Sequence, residues 1–128
     1  MIIDTSALIA IFLREKGADA LVSAIVGADV AGIGSPTAAE TGLVLTARWQ
    51  RNATGDLLRF FQETGIEIVP FTDLHWQRAV DAYARFGKGR HPAGLNFGDC
   101  MTYATAALAR QPLLCRGDDF RKTDLELA

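Results

Sequence analysis

The chain is predicted to be α/β, a short parallel sheet flanked by helices on both faces. Its strand-like segments are short and mostly apolar, none reads as alternating polar with apolar residues, and helical stretches separate them. A strand with no polar side must be covered on both faces, and intervening helices supply that cover. At 128 residues the chain is long enough for one core and too short for two ordinary ones, so one domain over 1–128 is expected.

Residues 1–3 read as the first strand, and Asp4 joins it to a helix over 6–14 with Leu8, Ile9, Phe12 and Leu13 at helical spacing. Gly17 breaks that helix, and a second over 18–27 carries Leu21, Val22 and Ile25 inward. Residues 30–33 form the next strand. Ser35 as cap and Pro36 at the first helical position start a helix running to about 51, with a turn at 52–55. A helix over 56–63 closes at Gly65, residues 66–69 are a third strand, and 73–86 are helical. Three glycines and a proline make 87–96 an irregular loop ahead of an alanine-rich helix over 97–110, and 113–115 are the last strand.

A net charge of -2 argues against coating nucleic acid by bulk electrostatics, while leaving room for local basic patches. The longest apolar run, 7–13, is too short to cross a bilayer, and no charged leader precedes an apolar stretch, so a cytoplasmic protein without membrane contact is expected. Cys100 and Cys115 lie in apolar surroundings without metal-type spacing and read as reduced core residues. The hydrophobic share of 49% fits either a well-filled core or an apolar surface kept for a partner.

The acids carry the chemistry. Asp4 follows the run Met1-Ile2-Ile3, and Glu40 falls among apolar positions of its helix, on a face with Leu43, Val44 and Ala47. A carboxylate in such surroundings must be paired, hydrogen-bonded or bound to a cation. Asp99 lies on the first turn of its helix, three residues after a possible cap at Asn96, and Asp118-Asp119 follow the last strand. Asp4 could equally cap its helix, Asp99 could serve the helix dipole, and the acidic pair could be an ordinary turn. Glu40 lies two positions too deep for a capping box from Ser35. In open α/β sheets, sites form outside the carboxyl ends of the strands, where Asp4 and Asp118 fall. Converging carboxylates need a cation, and all-oxygen ligation suits Mg²⁺ or Mn²⁺, which favours phosphodiester hydrolysis. A two-histidine mechanism has only His75 and His91 to draw on.

The opening MIIDTSAL, the helix SPTAAETGLVL, the stretch GKGRHPAGLNFGDCMTYATA and the closing PLLCRGDDFRKTDL together resemble the PIN-domain ribonucleases, specifically the VapC toxins of bacterial toxin–antitoxin pairs. The match spans almost the whole chain, with four acids in order. The resemblance implies a PIN-like three-layer fold and a Mg²⁺-dependent endoribonuclease, with Mn²⁺ a possible substitute. It implies cutting of structured cellular RNA and silencing by a cognate VapB-like antitoxin, as a homodimer or a toxin–antitoxin hetero-oligomer. Asp4, Glu40 and Asp99 match the catalytic, metal-binding acids; GDDF offers both Asp118 and Asp119 for the fourth, and Asp118 is chosen. Thr5 and Ser6 match the hydroxyl residues beside the first acid, where they orient a ligand or cap the helix.

Arg85, Lys88, Arg90 and His91, with Arg116, Arg121 and Lys122, are candidate phosphate contacts or a solvated face. Leu8, Ile9, Phe12 and Leu13, and Leu57, Leu58, Phe60 and Phe61, offer apolar surface for an antitoxin helix or extra core packing; Trp49 and Trp76 are ambiguous in the same way. Two other classes stay in view. A receiver-type phosphoacceptor domain expects paired acids after the first strand and a lysine after a late one, whereas Thr5 follows Asp4 and Arg116 follows Cys115. A non-catalytic PIN-like RNA- or protein-binding module would have no need of all four acids.

Overall fold

The computed structural model describes residues 1–128. Strand β1 (Ile2–Ile3) leads into helices α1 (Thr5–Phe12) and α2 (Ala18–Gly27), then β2 (Ala31–Gly34), α3 (Ser35–Trp49), α4 (Thr54–Thr64) and β3 (Ile66–Val69). Helices α5 (Asp73–Phe86) and α6 (Phe97–Ala109) precede β4 (Leu113–Leu114), and one 3₁₀ turn spans Phe120–Lys122. The four strands are all parallel, in the order β3-β2-β1-β4.

Successive strand residues feed opposite cores, as the pleat requires. Ile2 and Leu113 pack with Ala79, Ala82 and Phe86 of α5 and Cys100 and Tyr103 of α6. Ile3 and Leu114 pack with Leu8, Ile25, Leu45, Leu57 and Phe61 from α1 to α4. This two-sided burial explains the unbroken apolar runs of β1, β2 and β4, whereas the edge strand β3 carries exposed Glu67 and Ile68. It also places the site: the chain winds outward from β1 through β2 to β3, then returns to lay β4 on the other side of β1, so the winding reverses at β1.

Several boundaries differ from the sequence expectation. The cap of α3 is Gly34, which makes no side-chain capping bond; Ser35 is already helical and its hydroxyl donates to the Val69 carbonyl at 3.0 Å, tying α3 to β3. Val30 is exposed, and β2 runs one residue later than expected because its neighbours Met1 and Glu67 set the register. Helix α4 starts at Thr54 rather than 56, after Asn52 Oδ1 accepts from the Thr54 N–H at 2.9 Å. Gly65 closes α4 with φ of 73°. The expected stripe of α3 is displaced: Thr37, Thr41 and Leu45 are buried, while Leu43 is 72% and Val44 43% exposed. The C-terminal segment, for which the sequence pattern predicted no strand, joins the sheet edge by a parallel bridge between Leu113 and Leu127.

Candidate metal centre

Asp4 sits where β1 ends. It is 5% exposed, the only charged residue in the buried set. Its Oδ2 accepts from the Ser6 N–H at 3.0 Å and the Ser6 hydroxyl at 2.6 Å, so Asp4 caps α1 as well as facing the crevice. Its Oδ1 accepts from the Thr102 hydroxyl of α6 at 2.9 Å. That donation commits the Thr102 proton, so Thr37 of α3 must donate to Thr102 across their 2.9 Å contact. One buried carboxylate thus holds β1, α1, α3 and α6 together. No Lys or Arg side chain is bonded to it.

Glu40 lies half-buried on α3, its Oε1 accepting from the Thr5 hydroxyl at 2.5 Å. Thr41 donates to the Thr37 carbonyl at 2.8 Å. Thr5 and Ser6 therefore each hold one acid, while Thr5 leaves the capping of α1 to Asp4. The Glu40 carboxylate lies against the first turn of α6 at Gly98, where any Cβ would overlap it. Only glycine lets α6 come this close.

Asp99 makes the capping box expected from Asn96: its Oδ2 accepts from the Asn96 N–H at 3.0 Å, and Asn96 Oδ1 accepts from the Asp99 N–H at 2.9 Å. Its carboxyl is pushed up to about 6, chiefly by burial, against the lowering effect of the Asn96 N–H. The charges of Asp4, Asp119 and Glu40 raise it further. Within the acidic pair, the Asp118 side chain is 80% exposed and 3.6 Å from Arg121, and it is the Asp119 charge that reaches Asp99. No three Asp, Glu, His or Cys side chains are drawn close enough around one point to form a ready-made ligand cage. The donor chemistry nonetheless fits a hard divalent cation: carboxylate and hydroxyl oxygens from four segments, without a basic side chain bonded to Asp4, Glu40 or Asp99.

The surroundings sort the remaining expectations. Both histidines are structural: His75 Nδ1 accepts from the Thr72 N–H at 3.1 Å, and His91 Nδ1 from the Ala93 N–H at 3.0 Å. Arg85 is no free phosphate contact, being paired with Asp124 at 3.0 Å, and the Arg116 guanidinium donates to the Lys16 carbonyl at 2.6 Å. Both thiols are free, and burial pushes each up to about 11, which fits inert packing. Leu8, Leu57 and Phe61 are core, and Phe12 packs edge-on against Trp49 and Phe60, so little of the expected docking surface is available there. Leu43, Leu58 and Ile68 are exposed and line a groove of α3, α4 and β3, while Trp76, Val80, Tyr83 and Phe97 line another beside the first turn of α6.

The profile of the PIN domain family matches residues 1–126. Ribonuclease VapC36 of Mycobacterium tuberculosis is 48% identical over 127 residues, an alignment covering 98% of this chain and 91% of that relative. The chain belongs to the PIN-domain family, among the VapC ribonucleases. Solved structures share the PIN fold at lower identity. The crystal structure of VapC20 from M. tuberculosis, titled a sarcin–ricin-loop-cleaving toxin, superposes with a TM-score of 0.79 at 15% identity, covering 99% of this chain and 97% of that one. A toxin–antitoxin complex from Klebsiella pneumoniae gives 0.74 at 21% identity, covering 99% and 95%. Membership of the PIN family displaces the receiver-type reading, and no helix of the PIN domain is long and apolar enough to cross a membrane.

Sequence reasoning missed Thr37, Thr102 and Gly98. Threonines at helical spacing carry no hydropathy signal, and Gly98 matters only because Glu40, far away in sequence, packs on it.

Proposed function

We propose that this chain is the toxin of a toxin–antitoxin pair, a cytoplasmic endoribonuclease that hydrolyses structured cellular RNA with Mg²⁺ or Mn²⁺. Asp4, Glu40 and Asp99 hold the ion, and the fourth acid comes from the Asp118-Asp119 pair, with Asp119 favoured because the exposed Asp118 side chain is paired with Arg121 at 3.6 Å. One observation carries this reading: buried Asp4 stands where the sheet's winding reverses, Thr102 of α6 bonds it, Glu40 lies against Gly98 of the same helix, and no cationic side chain is bonded to Asp4, Glu40 or Asp99. When bound, the ion supplies Lewis acidity, neutralising charge on the phosphodiester and acidifying water.

The chain's own residues do the rest. The Ser6 N–H and hydroxyl both bond Asp4 Oδ2 and fix the carboxylate plane, while Thr102 takes one lone pair of Oδ1 and leaves the other for a ligand. Thr5 likewise takes one lone pair of Glu40 Oε1 and leaves the other. Asp99 is held through Oδ2 by the Asn96 N–H, and a bound cation would favour the charged form of its carboxyl, which burial disfavours. Lys88, Arg90 and Lys122, exposed and outside any ion pair, are the cations suited to RNA phosphates. The partner is a cognate antitoxin, and the exposed groove of α3, α4 and β3 suits an apolar helix face.

The test is cleavage of folded RNAs, including the sarcin–ricin loop, with and without Mg²⁺, by wild type, Asp4→Ala and Asp99→Ala. Loss of cleavage on omitting the ion or either acid is expected. Metal-independent or mutation-resistant cleavage refutes the mechanism, and RNA binding without cleavage under any condition favours the non-catalytic module.

A further inference from the structure

Beyond the acids lies a polar cluster that the proposed chemistry does not use. Tyr103, 2% exposed on α6, donates from its hydroxyl to Asp124 Oδ1 at 2.7 Å. Arg85 of α5 donates to Asp124 Oδ2 at 3.0 Å and to the Tyr103 hydroxyl at 3.3 Å. The three groups satisfy one another, and the Asp124 carboxyl is held below its ordinary value by the Tyr103 hydrogen bond first and Arg85 after it. On its own this is a fold contact between α5, α6 and the C-terminal segment.

Its position on the chain gives it a second role. Residues 115–123 form a loop between β4 and Asp124, and that loop carries Asp118 and Asp119. The near end is fixed by β4 and by the Arg116 N–H, which donates to the Ser6 hydroxyl at 2.9 Å, the same hydroxyl that holds Asp4. Within the loop, Phe120 is 3% exposed and packs in the same core as Tyr103, and the Lys122 and Thr123 N–H groups donate back to Asp119 and Phe120. The far end is fixed by the Asp124 cluster, followed by Leu125, the Leu127 bridge to β4 and the Ala128 N–H bond to Leu113. Tyr103 stands one helical turn after Asp99 on α6. The helix that carries the third acid therefore also anchors the loop that carries the fourth.

We propose that Tyr103, Asp124 and Arg85 are positioning residues that set the separation between the 118–119 acids and Asp99, and with it the affinity of the crevice for a divalent ion. The proposal rests on the metal-site reading above. This latch of three mutually bonded groups is expected to act on ion affinity and turnover while leaving RNA affinity in place. Outer hydrogen-bond partners of this kind change metal affinity by about 10- to 100-fold when removed.

The experiment measures Mn²⁺ binding to the full-length protein by electron paramagnetic resonance of the free ion, alongside kcat and KM for RNA and the melting temperature. Tyr103→Phe keeps the buried ring and removes one hydroxyl; Asp124→Asn keeps the shape and removes the charge. Both are expected to weaken Mn²⁺ binding about 10-fold and to lower kcat at sub-saturating ion, with KM for RNA within about twofold. In an Asp119→Asn background, or Asp118→Asn if that acid is the ligand, Tyr103→Phe is expected to add little. A lowered melting temperature with wild-type Mn²⁺ affinity would make the cluster a fold contact only and overturn the proposal. Failure of the two readings is distinguishable: if Asp99→Asn abolishes Mn²⁺ binding while the latch variants and both 118–119 variants leave it intact, the latch falls alone. If Asp4→Asn and Asp99→Asn also bind Mn²⁺ normally, the metal-site reading falls with it.

Discussion

Asp124 and Asp99 both answer to helix α6, and their surroundings treat them oppositely. Asp124 receives the Tyr103 hydroxyl and the Arg85 guanidinium, and its carboxyl lies below the ordinary range. Asp99 receives one backbone N–H and loses water, and burial first, with the charges of Asp4, Asp119 and Glu40 after it, raises it to about 6. A fold built only for stability would treat both acids as it treats Asp124. The crevice forgoes that pairing at Asp99, which is the pattern expected of a group kept for a ligand rather than for the core.

The sharpest way to break the contrast is Gly98→Ala. The new Cβ overlaps the Glu40 carboxylate, so ion binding and RNA cleavage should fall by about 10- to 100-fold. Alanine favours the helix by about 1 kcal/mol over glycine, so the melting temperature should hold or rise. A parallel loss of stability and activity would show instead that Glu40 cannot move aside.

Thr102→Val tests what holds the buried acid. It keeps the shape but leaves Asp4 Oδ1 and the Thr37 hydroxyl without their partner, a cost of about 1–3 kcal/mol read from the urea midpoint. An unchanged midpoint would mean that water replaces the hydroxyl. Thr105→Val removes only a bond to the Met101 carbonyl of its own helix and should cost less.

The two acids should also give stability slopes of opposite sign. For Asp99 the folded value lies above the unfolded one, so the folded chain holds the proton more tightly; stability contributed there falls as pH rises from about 4 and the penalty is complete above about 6. For Asp124 the folded value is depressed, so its contribution is present above the unfolded value and is lost as pH falls. In EDTA at pH 7.5, Asp99→Asn should raise the melting temperature by about 3 °C and Asp124→Asn should lower it; at pH 4 both differences should shrink. Mn²⁺ should stabilise the wild type at pH 7.5 and not Asp99→Asn. A destabilised Asp99→Asn in EDTA would show that its capping role outweighs the repulsion.

The layers were legible in the sequence because two-sided burial writes unbroken apolar strands. The caps at Asp4 and Asn96 were legible because a side chain two or three residues from its N–H partner is a local fact. Glu40 shows the limit. It was singled out for lying on a face with Leu43 and Val44, yet those side chains are exposed, and the buried stripe is Thr37, Thr41 and Leu45. Hydropathy ranks leucine above threonine, but here each threonine hydroxyl finds a partner inside, and Leu43 lines an open groove instead.

Left to itself, the order of residues determined the parallel α/β layering, the family, and which segments carry acid, since each is set by local pattern or by motifs in line. Tertiary structure alone decided that Thr102 holds Asp4 across 98 positions, that Gly98 makes room for Glu40, and that Arg85 serves Asp124 rather than a phosphate. Those are contacts between elements, and their energies depend on distance in space, which no spacing along the chain encodes.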